Sequence, residues 1–278
     1  MKKFLHILPL LMLLSCNAEQ PLPDSRLVLE GWIDSGGHPM VLLSETIPMG
    51  DAQISQSEMI AGIAKYAKVS VSDGDKEVIL TGMVDKRYFP PYVFTSSKIT
   101  GEPGKTYTVN AQYKDFRARA STTIPNPVQL DTIYPKVLQD TVYTIVCGFT
   151  DPPGERNFYR AFTKTTGKDE RYQPSTLAYA TDEVFQGYTE MVLWNTQRLM
   201  APLYFPNISL GDEVWVKFCT MEQKTFNFWS NFEVTLATNA NAMYYFDTDM
   251  RVNVEGALGY WAGYGVNEYK VKVKPAAN

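Results

Sequence analysis

Histidine is nearly missing from this chain, with two in 278 residues. His6 lies in a greasy N-terminal run and His38 in a glycine-rich stretch. A Ser-His-Asp triad or a two-histidine metal site therefore has too few imidazoles to build on. The G-x-S-x-G elbow, the P-loop and H-E-x-x-H are absent too, which removes the common hydrolase and nucleotide-binding layouts. A carboxylate-pair glycosidase needs no histidine and stays open. Basic runs are short: no Lys/Arg cluster exceeds a pair and the net charge is −4, so a nucleic-acid footprint is lacking. No apolar run reaches the ~20 residues of a membrane-spanning helix. Cysteine is scarce, at three in the chain, and no cofactor motif is found.

What is present begins at the N-terminus. Lys2 and Lys3 precede an apolar stretch from Phe4 through Leu14. That is too short to span a bilayer and fits a secretory signal. The stretch ends Leu13-Leu14-Ser15-Cys16, which resembles the lipobox of bacterial lipoproteins. The resemblance implies cleavage before Cys16 and acylation of that residue, and several acyl chains make a stable anchor. The alternative is a plain signal peptide with an incidental cysteine. Asn17 is not the aspartate that marks inner-membrane retention in many such proteins, so outer membrane is the expectation. The periplasmic or cell-surface side stays undecided. Residues 1–15 are read as signal peptide and residues 16–25, with Pro21 and Pro23, as a tether.

Strand patterns follow. LVLEGWI and MVLLSE flank a DSGG turn. Val69 and Val71 alternate with serines before Asp73-Gly74, whose turn chemistry predicts a hairpin. Tyr107, Val109, Ala111 and Tyr113 alternate with polar residues, and Lys114-Asp115 turns the chain into a partner strand. Two prolines in IPNPVQLD then end the alternation. The fold class predicted is all-β and mainly antiparallel: an immunoglobulin-like β-sandwich over residues 26–125 and a larger β-rich domain over 126–278. In the second, strands are expected at 142–149, 157–164, 213–220 and 266–274. Residues 165–212 read as long and irregular. One helix is expected over 224–241, where Phe228, Phe232 and Leu236 recur at helical spacing.

Three stretches in order, LVLEGWIDSGGHPMVLLSETIP, AKVSVSDG through ASTTIPNPVQLDTI, and NVEGALGYWAGYG, resemble a Bacteroidetes outer-membrane lipoprotein family, domain of unknown function 4249. The paired glycines usual in that tail are Gly256-Ala257 here. The resemblance implies an all-β outer-membrane lipoprotein, often encoded beside a TonB-dependent transporter. It carries no activity onto any residue.

Candidate residues each have a bland reading beside the sharp one. Asp247 and Asp249 could ligate a hard cation or merely sit in an acidic loop. Cys147 and Cys219 could form a disulfide adding roughly 4 kcal/mol in the chain-entropy view, or stay as buried thiols. Tyr260, Trp261 and Tyr264 among the tail glycines could pack structurally or, with Tyr204 and Phe205, present a contact surface. Thr132 and Thr141 stand in Asp-Thr-aliphatic triplets that resemble a Bacteroidetes O-glycosylation signal. The segments 171–188 and 203–208 are the expected binding loops. The function expected is a non-enzymatic accessory or binding subunit associated with a TonB-dependent β-barrel transporter, taking a small-molecule, glycan or peptide ligand. A histidine-free carbohydrate-active hydrolase and a structural or adhesive envelope protein are the alternatives.

Overall fold

A computed structural model describes residues 25–46, 55–139, 142–194, 207–238 and 253–274. The N-terminal part contains β1 (Leu27–Asp34), β2 (Met40–Glu45), α1 (Gln56–Ala61), β3 (Lys68–Ser72), β4 (Glu77–Ile79), β5 (Thr81–Met83), β6 (Val93–Thr95), β7 (Thr106–Tyr113) and β8 (Phe116–Thr123). Then come β9 (Thr132–Gln139), β10 (Val142–Thr150), β11 (Phe158–Thr165), β12 (Gln173–Thr181), β13 (Tyr188–Leu193), β14 (Glu213–Met221), α2 (Gln223–Thr238) and β15 (Leu258–Lys272). The chain is all-β and mainly antiparallel, as expected. Two helices are described where one was expected; the extra one, α1, is a short turn closed by a Ser55–Glu58 capping box.

The frame is one eight-stranded sheet in the order β12-β11-β14-β15-β1-β2-β6-β5. Period-two alternation gives it two distinct faces. Its back face buries Leu27, Leu29, Ile33 and Trp261 at one end, under the four-stranded sheet β4-β3-β7-β8. This is the immunoglobulin-like sandwich. At the other end the same face buries Tyr159, Val216, Phe218 and Val271 with residues of the three-stranded sheet β13-β10-β9. The front face carries an aromatic cluster beneath α2, with Phe162, Met221, Phe228, Trp229, Tyr260 and Tyr264.

Strand β15 joins the two halves. Its first part pairs parallel with β1, from Val28↔Leu258 to Asp34↔Tyr264. Its second part pairs antiparallel with β14, from Thr220↔Gly265 to Glu213↔Lys272. The sandwich read from residues 26–125 is thus completed by residues near the C-terminus. The proline-bearing connection after β8 is held against this strand: Tyr269 Oη accepts from Leu130 N at 2.7 Å, and Asn267 Nδ2 donates to Val128 O at 3.0 Å. The tail glycines permit the close approach. Gly259 has φ +106°, and a Cβ there would strike the Leu29 carbonyl. A Cβ on Gly31 would come within 2.9 Å of the Trp261 ring.

Residues 165–212 are not the irregular stretch expected, since β12 and β13 lie within them. Strand β12 is masked in sequence because its alternation breaks: Leu177 has φ 53° and the register with β11 shifts between Arg160 and Phe162. Half of the expected binding loop 171–188 is therefore the edge strand β12.

Candidate functional site

The front face of the large sheet gathers charged and aromatic side chains that strand alternation alone would assign to solvent. On β11 these are Phe158, Arg160 and Phe162; on β14, Trp215, Lys217, Cys219 and Met221; on β1, Glu30, Trp32 and Asp34. Cross-strand register brings Arg160 beside Cys219 and Phe162 beside Lys217. Helix α2 covers one end. Its Trp229 Nε1 donates to Tyr264 Oη at 2.8 Å.

Under α2, Arg160 is 1 % exposed. Its Nη2 donates to Glu233 Oε1 at 2.8 Å, and Leu177 N donates to the other carboxylate oxygen at 2.7 Å. The guanidinium lies 4.0 Å from the centre of the Trp229 ring, a cation–π contact made stronger by burial. Nε and Nη1 find no hydrogen-bond acceptor among the described residues. Midway along the face, Lys217 donates to both oxygens of Asp34 at 3.2 and 3.0 Å. The rings of Phe162, Tyr264 and Tyr172 stand 4.9, 5.4 and 5.7 Å from its ammonium. Burial is the largest single influence on Lys217 and opposes its charge, but Asp34, Cys219 and Glu268 together outweigh it and the pKa rises. Both cations are thus spent inside the protein, Arg160 holding α2 to the sheet and Lys217 bridging β14 to β1 across β15.

Beyond Lys217 the face opens. The loop after β5 (Asp85, Lys86, Arg87) and the β11–β12 loop (Thr166, Gly167, Asp169, Glu170) wall a cleft of about 620 Å³, with Lys164 and Trp215 also lining it. That volume lies within the range of small-ligand sites. Asp85 is clamped by Arg87, whose Nε and Nη2 reach it at 2.9 and 2.6 Å. The Arg87 hydrogen bonds hold the Asp85 carboxyl below the usual carboxylate range. Lys86 and Lys164 have no ion-pair partner among the described residues. The cleft offers donors, acceptors and an indole, which suits a polar ligand of mixed charge. Glu30, the carboxyl pushed up by burial, lies elsewhere, in a crevice of about 40 Å³ with Leu42, Pro90 and Tyr92. That holds a few waters at most and no sugar ring.

The residues singled out in the sequence do not converge here. Tyr260, Trp261 and Tyr264 are at most 6 % exposed. They are core residues and cannot form a contact surface: Trp261 Nε1 donates to Tyr107 O at 2.9 Å, and its backbone is held by Asn253. Cys147 and Cys219 are buried free thiols in separate cores, so the candidate disulfide is not formed. Burial pushes both thiols up to about 12. Thr132 is exposed at the start of β9 and shares a hydrogen bond of 3.1 Å with Tyr188 Oη. His38 is bonded to Ile99 O at 3.0 Å, a structural role. Cys16, Thr141, Tyr204, Phe205, Asp247 and Asp249 lie outside the described residues. Among the described residues no group of three or more His, Cys, Asp and Glu could hold a metal ion. Arg160, Lys217 and Trp215 were missed as site residues; the signal was a basic or indole residue in phase with apolar neighbours.

No curated protein matches the chain. Among solved structures it is similar to the two fibronectin type-III domain segment from chicken tenascin, at 10 % identity and a TM-score of 0.21, covering 71 % of this chain and 91 % of that one. Residues 16–270 match the family described as domain of unknown function (DUF4249), and the chain belongs to that family.

Proposed function

We propose that the mature chain is an outer-membrane lipoprotein acylated at Cys16 that acts as a non-enzymatic binding subunit for a TonB-dependent transporter. The observation that carries the binding role is the open cleft on the front face, walled by loops from both halves of the chain. Its walls are supported by a rigid sheet, the arrangement that favours a pre-formed ligand site. A non-enzymatic role is supported by the sequence, whose two histidines and missing G-x-S-x-G and H-E-x-x-H motifs leave the common hydrolase layouts without their groups. The lipid anchor is supported by the Leu13-Leu14-Ser15-Cys16 sequence. The transporter link rests on family association.

The test is an affinity purification of the tagged full chain from native outer membrane, with co-purifying proteins identified and counted. A stoichiometric β-barrel transporter is the expected result. A chain that stays membrane-bound but purifies alone overturns the accessory role, and Cys16→Ala that stays membrane-bound overturns the anchor.

A further inference from the structure

The tether joins the body at one pole of the sandwich, where exposed cations stand around a bare tyrosine. Arg26 precedes β1 and is tied to the end of β2, since Thr46 N donates to Arg26 O at 2.7 Å. The β7–β8 turn is at the same pole, because Lys114 reaches Glu45 at 2.6 Å. So is the Lys65-Tyr66-Ala67-Lys68 segment, whose approach is fixed where Ala64 N donates to Leu43 O at 3.0 Å. The outer face of the four-stranded sheet adds Arg117, which shares a cross-strand row with Lys68 through Gln112.

The charges at this pole do not cancel. Arg26, Lys65, Lys68, Arg117 and Arg119 are exposed and have no ion-pair partner among the described residues. Of the nearby carboxylates, Glu45 is paired with Lys114, whereas the Ser55 cap on Glu58 is neutral and leaves its charge in place. Exposed Glu58, Asp115 and Glu255 thus stand as three anions against the five cations. This excess of cations stands on a chain whose net charge is −4. Between the lysines, Tyr66 is 93 % exposed. A bare tyrosine ring flanked by lysines is the side-chain set enriched where a membrane meets water: the ring sits at headgroup level and the ammonium groups meet phosphate. The reach also fits. From Cys16 to Ser25 is about ten residues, which span at most ~35 Å when extended. The body stays close enough to the bilayer for an attraction that fades over ~8 Å to capture it.

We propose that this pole is seated on the anionic phosphate headgroups of the bilayer that carries the anchor. The proposal rests on the lipid-anchored reading above. Seating would point the opposite pole, and with it the far stretch of β15 whose Lys270 lies over the cleft residue Trp215, away from the membrane.

The test uses the full acylated chain in vesicles, with a fluorophore on Tyr66→Cys or, at the opposite pole, on Glu102→Cys. Cys147 and Cys219 are buried with thiols pushed up to about 12, so labelling goes to the introduced cysteine. Quenching by a headgroup-borne spin label is read in phosphatidylglycerol-containing and in pure phosphatidylcholine vesicles, with flotation measured on each sample. The expected result is severalfold stronger quenching at position 66 than at 102 in the anionic vesicles. The contrast should vanish when Lys65→Glu and Lys68→Glu are combined, while flotation is unchanged. Equal quenching at both positions on floating protein overturns the seat and leaves the anchor intact. Quenching at 66 that ignores lipid charge and the glutamate substitutions overturns the headgroup contact and points to a protein partner at this pole. Failure to float overturns the anchor and the seat together.

Discussion

Arg160 and Glu233 form the pair on which α2 depends. Both are at most 5 % exposed, so each is far from water and each is tolerated because the other is present. Removing one partner of such a pair leaves an uncompensated buried charge and typically costs ~3–5 kcal/mol, whereas replacing both with apolar residues is often neutral. Glu233→Ala should therefore lower unfolding stability by ~3–5 kcal/mol. Arg160→Met combined with Glu233→Leu should cost less than Glu233→Ala alone. Urea denaturation of the single and double variants measures the difference. A double variant worse than the single would show that the Arg160–Trp229 stack, at 4.0 Å, outweighs the ion pair. In sequence the NFYRAFTK alternation already put Arg160 in phase with Phe158 and Phe162. What it lacked was the partner, because Glu233 lies on a helix whose docking is set by tertiary packing.

Among the elements, β15 departs most from its sequence appearance. Its glycines read as a structural tail, and the strand that closes the chain was expected only from residue 266. The observed strand begins at Leu258, because its glycines let it lie against the β1 backbone where a side chain would collide. The helix, by contrast, was legible: Phe228 and Phe232 recur one turn apart and stack with ring centres 5.9 Å apart. Local periodicity announces a helix, whereas a parallel pairing across the length of the chain leaves no local trace. The glycines separate two sources of strain. Gly36 has φ +76° with nothing within 4 Å of a built Cβ, while Gly259 combines φ +106° with a collision against Leu29. Gly36→Ala should cost only the ~1–2 kcal/mol of left-handed backbone. Gly259→Ala should cost more than that, since the clash adds to the backbone strain. Thermal denaturation of the two variants tests this, and equal losses would mean that β15 slides to accommodate the methyl group.

At the scale of the whole molecule, the composition break at residues 124–131 suggested two independent domains. The break is real as a connection, but it does not mark a mechanical joint. Strand β15 pairs with both β1 and β14. Other contacts cross the same boundary: Thr122 Oγ1 donates to Glu222 Oε2 at 2.9 Å and accepts from Gly263 N at 2.9 Å. Losing β15 from either half would expose an unpaired strand edge together with buried tryptophan and tyrosine, which no half could tolerate alone. The halves should therefore unfold in one cooperative transition despite the length of the chain. Phe218→Ala, placed in the core between β14 and the three-stranded sheet, should cost ~3–5 kcal/mol. It should also speed amide exchange in β7 and β8 of the distant sandwich by the same free energy, because opening one half removes the strand that closes the other. Native-state hydrogen exchange reads this directly. Unchanged protection in β7 and β8, or two calorimetric transitions, would show that β15 can leave one sheet while holding the other, and that the cleft walls belong to halves that move independently.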